Sequence, residues 1–182
     1  RGHRWDYDHW SELGNEGWSY DEVLPYFKKA EHNEEFDDEF HGQKGPLNVS
    51  KIRHQNTPTD DFVKTGSDLF GFNDDFNGAE QEGVGYYQTT QKDGKRCSAA
   101  KAYLVPALER ENLTVMTDTN VNKILFENKK AVGVEINEKG KIEKYFCNKE
   151  IILSAGSINS SKILQLSGVG DPTVIKKNGI DI

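Results

Sequence analysis

The sequence predicts an α+β fold, and three observations carry that reading. Residues 1–106 hold apolar side chains at helical spacing, in runs opened by capping residues and closed by glycine or proline. From Leu113 onward the pattern changes to short β-rich runs separated by turns rich in Asn, Lys and Gly. With 182 residues, 35% hydrophobic and 10% aromatic, the chain can bury a core. That length suits one domain, or two small ones, at about 100–200 residues per domain.

Taken in order, Asp6 as a cap, side chains at 7, 10 and 13, and Gly14 as a stop predict a first short helix. Ser19 and Glu22 have the spacing of a capping box, in which hydroxyl and carboxylate satisfy each other's free amides. Val23, Leu24, Phe27 and Ala30 continue that helix, with a kink or restart expected at Pro25. The acidic stretch 31–46 reads as a surface loop. Thr57-Pro58 opens a helix whose inward face would carry Phe62, Val63, Leu69 and Phe70, ending at Gly71. Residues 84–90 read as a strand, Asp93-Gly94 as a turn, and Ser98 as the cap of a helix interrupted at Pro106.

Five strands are then expected: Leu113–Met116, Val121–Phe126, Ala131–Ile136, Ile142–Phe146 and Ile151–Ser154. Ile151-Ile152-Leu153 is apolar on both faces, the pattern of a central strand covered on two sides. A helix from Ser160 to Gln165 closes at Ser167-Gly168-Val169-Gly170, Pro172 opens a last helix to about Lys177, and Gly179–Ile182 reads as the entrance to another strand.

Charge and composition exclude several classes. The net charge is −7, with 12 acidic and 5 basic residues in the first fifty and a balanced remainder. That argues against binding nucleic acid or an anionic membrane. No apolar run approaches the about 20 residues of a membrane span, and no secretory leader is visible. Cys97 and Cys147 do not form a metal-spaced pair or a disulfide scaffold, so a soluble, cytoplasmic protein is expected. The chain starts without methionine and stops without a polar tail, as expected of an internal segment.

Five features could carry chemistry. Ser98 and Lys101 stand one helical turn apart, as in serine acyl-transfer sites, but Lys64-Thr65-Gly66 precedes them instead of following, so Ser98 reads as a cap. Gly168-Val169-Gly170 closes a helix where a phosphate-cradling loop would open one. The five histidines, at 3, 9, 32, 41 and 54, share no helical face and read as scattered surface residues. The acidic run 34–39 lacks the spaced ligands of a calcium loop. Last, the apolar strand ending in Ser154-Ala155-Gly156-Ser157 runs into a helix. At such strand ends small residues let a backbone approach a ligand, or simply pack tightly.

Those last residues also carry a resemblance. Gly156-Ser157-Ile158-Asn159-Ser160 through Leu166-Ser167-Gly168-Val169-Gly170 resembles the second signature of the glucose–methanol–choline oxidoreductases, with Ser161 where that family expects proline. Ordered similarities run through the whole chain. They include Arg1-Gly2, Asp6–Trp10, Gly17–Tyr20, His41-Gly42 with Gly45-Pro46-Leu47, Gln81–Gly85, Gly94–Ala100 with Ala102-Tyr103-Leu104, Asn112–Val115 and Ala131–Glu135. Within that family the chain looks most like bacterial choline and related alcohol dehydrogenases.

The resemblance implies a flavoprotein that oxidises a small-molecule alcohol by passing a hydride to FAD. It implies that residues 1–106 belong to a substrate-side and lid region. Residues 107–182 would supply the later half of an FAD-binding domain, a partial sheet with an antiparallel meander. Val121, Ser154, Ala155 and Gly156, with Ser157 as neighbour, would approach the adenosine half of FAD. The family's glycine-rich pyrophosphate loop and catalytic histidine match nothing in these residues, so no catalytic residue and no metal ligand is assigned. Self-association through unpaired edges is expected, and the chain by itself is expected to bind FAD weakly and to be inactive. A non-catalytic binding domain on the same scaffold, or carbohydrate binding through Trp5, Trp10 and Trp18, are the competing readings.

Overall fold

The computed structural model describes residues 1–54 and 56–181. They form two compact units, Arg1–Leu113 and Thr114–Ile182.

In the first unit, α1 (Arg4–Glu12) is capped by His3 and not by Asp6. The His3 imidazole accepts from the Trp5 amide at 3.1 Å, while Asp6, one turn in, accepts from the His3 amide at 2.9 Å. Asp6 therefore closes the capping box instead of opening the helix. In α2 (Tyr20–Ala30) the Glu22 carboxylate accepts from the Ser19 amide at 3.1 Å and from its hydroxyl at 2.6 Å. Pro25 neither kinks nor restarts this helix. It lies early and on the exposed side, where the single carbonyl it leaves unbonded, on Asp21, is open to water. Tyr7, Tyr20 and Val23 form the core between these helices, with Leu24 and Phe27 packed on it. The Tyr7 and Phe27 rings meet edge-on at 5.7 Å.

Hydrogen bonds from Ser19 hold the Glu22 carboxyl below its ordinary value. A depressed carboxylate stabilises only while ionised, so this contribution is present above the usual carboxylate range and is lost as pH falls from there through its lowered value. The protection factor of the Ser19 amide, corrected for the intrinsic pH dependence of exchange, should fall on acidification in the native chain. In Glu22→Gln it should stay level over the same range; an identical profile would remove Glu22 as the cause.

The stretch 31–46 is not a surface loop throughout. β1 (Glu31–Asn33) pairs parallel with β2 (Leu47–Lys51), and β2 pairs antiparallel with β3 (Gln88–Thr89). Asn33 is fully buried. Its Oδ1 accepts from the Glu35 and Phe36 amides, both at 3.0 Å, and its Nδ2 donates to Gln88 at 2.9 Å. These bonds supply partners that a buried amide cannot forgo.

In α3 (Thr57–Phe70) the cap is Asn56, which accepts from the Thr59 amide at 3.1 Å, so Thr57 is the first helical residue and Pro58 the second. Val63 is buried, but Phe62, Leu69 and Phe70 each keep about seven-tenths of their surface exposed. The face that turns inward is the one on which Gly66 packs against the Val84 side chain. Residues 84–90 do not form one strand: Val84 makes a single bridge to Phe72, and only Gln88–Thr89 joins the sheet. β4 (Gln91–Lys92) and β5 (Lys95–Arg96) form the hairpin expected at Asp93-Gly94. The predicted helix after Ser98 is a π-helix, Ala100–Leu104, followed by a 3₁₀ turn at Val105–Ala107.

In the second unit β6 (Thr119–Glu127), β7 (Lys130–Glu138) and β8 (Lys141–Phe146) make an antiparallel meander in chain order. Its turns place Asn128-Lys129 and Lys139-Gly140 at positive φ, the two-residue hairpin geometry whose twist matches that of the strands. α4 (Gly156–Leu166) and α5 (Pro172–Lys177) follow, with Asp171 capping α5 by accepting from the Thr173 amide at 2.7 Å. Ile124, Ile136, Ile163 and Ile175 are the buried aliphatic residues of this unit.

Two predicted strands are absent. Leu113–Met116 and Ile151–Ser154 pair with no strand among the described residues, and Ile152, read as doubly covered, is 79% exposed. An apolar run adopts a ladder only when another strand offers its amides and carbonyls. Gly179–Asp181 is irregular, and Ile182 lies outside the described residues.

Candidate functional site

The residues expected to face a cofactor lie at two places in the second unit. Val121 sits on β6 opposite Ile136, beside a register shift at Val121/Lys123, and keeps 39% of its surface exposed. Ser154, Ala155, Gly156 and Ser157 form the turn into α4 and are all exposed. α4 is tied to β6 at its other end. The Ser167 hydroxyl accepts from the Ile124 amide at 2.8 Å and donates to the Ile163 carbonyl at 2.6 Å.

The turn has the character of a ledge. No side chain caps α4, and its first turn holds no acidic residue. Gly156 has φ +84°, with no atom within 4 Å of where a Cβ would stand. The Ala155 amide donates to the Ser160 hydroxyl at 3.0 Å, which fixes the backbone of the turn. Ser161, the departure from the family pattern, donates to the Ser157 carbonyl at 2.9 Å inside a continuous helix. Small side chains, an uncapped helix start and exposed backbone leave room for a flat group to approach this turn closely.

The other motifs resolve as structure. Ser98 accepts from the Lys101 amide at 3.2 Å and acts as a cap, and Lys64-Thr65-Gly66 lies inside α3. Gly168 closes α4, its amide donating to the Gln165 carbonyl at 3.1 Å. Both cysteines are free thiols.

One histidine departs from the surface reading. The His41 side chain is fully buried, with Nδ1 2.9 Å from Asp38 Oδ1 and Nε2 3.4 Å from Asp75 Oδ1. Burial works to raise the Asp38 carboxyl, but hydrogen bonds from His41 Nδ1 and from the Phe40 and His41 amides hold it below its ordinary value. Spacing could not reveal this group, because Asp75 lies far along the chain. The one sequence signal was His41-Gly42 beside Gly45-Pro46.

No helix among the described residues is long and apolar enough to cross a membrane. Comparison with known proteins gives consistent results. The alcohol dehydrogenase [acceptor] of Pseudomonas putida is 44% identical over 99% of this chain, and the oxygen-dependent choline dehydrogenase of Sinorhizobium fredii is 45% identical over all of it. The chain spans 33% of the length of each. Among solved structures, an FAD-dependent oxidoreductase from Chaetomium thermophilum superposes with a TM-score of 0.91 at 28% identity, covering all of this chain and 34% of that one. Pyridoxine 4-oxidase from Mesorbium loti gives 0.90 at 29%, covering all of this chain and 36% of that one. The family model described as GMC oxidoreductase matches residues 1–179, and with the signature residues leading into and out of α4 this establishes that the chain belongs to the GMC oxidoreductase family.

Proposed function

We propose that this chain is one part of an FAD-dependent oxidoreductase that oxidises the CH–OH group of a primary alcohol such as choline to the aldehyde. The observation that carries this reading is a family match over residues 1–179, joined to 44–45% identity with an alcohol dehydrogenase and a choline dehydrogenase. FAD, when bound, supplies the hydride acceptor. Val121 and the ledge Ser154–Ser157 hold its adenosine half. Residues 1–106 form the substrate-side and lid region, and residues 107–182 the later half of the FAD-binding domain. The enzyme works in the cytoplasm on a small alcohol, without nucleic acid.

None of the 182 residues is assigned as the base that takes the alcohol proton, and a missing acid–base group alone costs about 10²–10⁴ in rate. The isolated chain is therefore expected to retain no flavin absorbance on purification and to reduce no dye with choline. Either signal would refute that expectation. In the flavin-containing enzyme that carries this sequence, Ala155→Phe should weaken FAD retention by at least about tenfold, equivalent to about 1.4 kcal/mol. Unchanged flavin content would move the adenosine site elsewhere.

A further inference from the structure

We propose that His41 Nε2 and Asp75 Oδ1 bind a small divalent cation of the Zn²⁺ type, with Asp38 orienting the imidazole from behind. Asp38 Oδ1 accepts from the Phe40 amide at 2.8 Å, the His41 amide at 3.1 Å and His41 Nδ1 at 2.9 Å. A carboxylate only accepts, so Nδ1 donates to Asp38, and Nε2 is the ring atom left for an ion. Nε2 is buried with no hydrogen-bond partner among the described residues. Nε2 faces a carboxylate oxygen at 3.4 Å. A ring nitrogen and a carboxylate oxygen facing each other across that gap form a donor pair that a cation can bridge.

A tetrahedral ion with Zn–N of about 2.05 Å and Zn–O of about 2.1 Å holds its ligand atoms about 3.4 Å apart, which is the separation of His41 Nε2 and Asp75 Oδ1. Asp38, His41 and Asp75 contribute donor atoms within 4.8 Å of one another. Asp38 bonds the far ring nitrogen, as the outer carboxylate does in carboxylate–histidine–metal arrangements. Asp75 is also held in place: its Oδ1 accepts from the Asn77 amide at 3.0 Å, and its own amide donates to Asn73 Oδ1 at 2.8 Å. Its side chain keeps 17% exposure, which leaves a route for the ion and for water to complete the coordination. The ion would cross-link the segment after β1 to the turn after α3, and so would serve structure, not alcohol chemistry.

The test is a titration of the metal-stripped enzyme that carries this sequence with Co²⁺, read by the visible absorption of the tetrahedral ion, and with Zn²⁺, read by the ¹⁵N resonance of His41 Nε2. One equivalent should bind, the Nε2 resonance should move to a metal-bound position, and Asp75→Asn and His41→Gln should abolish both signals. Asp38→Asn should weaken binding by about 10–100-fold, the usual cost of losing an outer partner. Uptake unchanged in Asp75→Asn would assign the ion to surface histidines and overturn the proposal. So would an Nε2 resonance that Zn²⁺ leaves unmoved in the native chain, a result that needs no variant to fold.

Discussion

Gly42→Ala is expected to unfold the first unit or lower its stability by about 3 kcal/mol or more, at the upper end of what overpacking costs. Gly42 is buried, and a Cβ there would overlap the Lys28 carbonyl at the end of α2 and stand 2.9 Å from the Glu31 carbonyl oxygen. Both obstacles are backbone, which cannot swing aside as a long side chain would. Gly42 is also pinned from both sides: its amide donates to Glu31 Oε2 at 3.0 Å and its carbonyl accepts from the Asn33 amide at 2.8 Å. All three tryptophans lie in this unit, so fluorescence during thermal melting reads it directly. The midpoint should fall by at least about 10 °C, and an unmoved midpoint would show that α2 can retreat.

Glu31→Gln is expected to cost about 3–5 kcal/mol, the penalty for stranding one partner of a buried ion pair. Glu31 Oε2 meets Arg1 Nη2 at 2.7 Å, with side chains only 10% and 8% exposed. Without the carboxylate, the guanidinium keeps the Phe40 carbonyl at 2.6 Å and the Phe27 ring at 5.7 Å, neither of which carries a compensating charge. Urea denaturation of the variant measures the loss. Because the same oxygen accepts from Gly42, the two substitutions together should cost less than their sum. Strict additivity would mean that Gly42 acts through sterics alone.

Local chemistry was the legible part of this fold. Ser19 with Glu22, Asp93-Gly94 and the two turns of the meander each decide their geometry within four residues, so their types can be read directly. Periodicity in α3 groups Phe62, Leu69 and Phe70 on one face, but it does not say which face turns inward. That was decided by Gly66 and Val84, eighteen positions apart. β1 and β2 escaped notice because they are short and pair across sixteen positions of acidic sequence, and the Asn33 amide finds Gln88 only 55 positions away. His41 escaped because Asp38 lies in a run that reads as solvated and Asp75 stands 34 positions further along. The turn Ser154–Ser157 stood out only through a family likeness, because small residues at such a place fit close packing equally well; in the structure they are exposed.

The meander described above has a kinetic consequence. Each of its strands pairs with the next one along the chain through a two-residue turn, so loop closure adds little to the barrier and hairpins of this kind form in about 1–10 μs. The sheet of the first unit must instead bring Ser50 to Thr89 before it gains any bond between β2 and β3. During refolding, amides of β7 should become protected well ahead of those of β2, leaving Asn33 among the last groups to find its place.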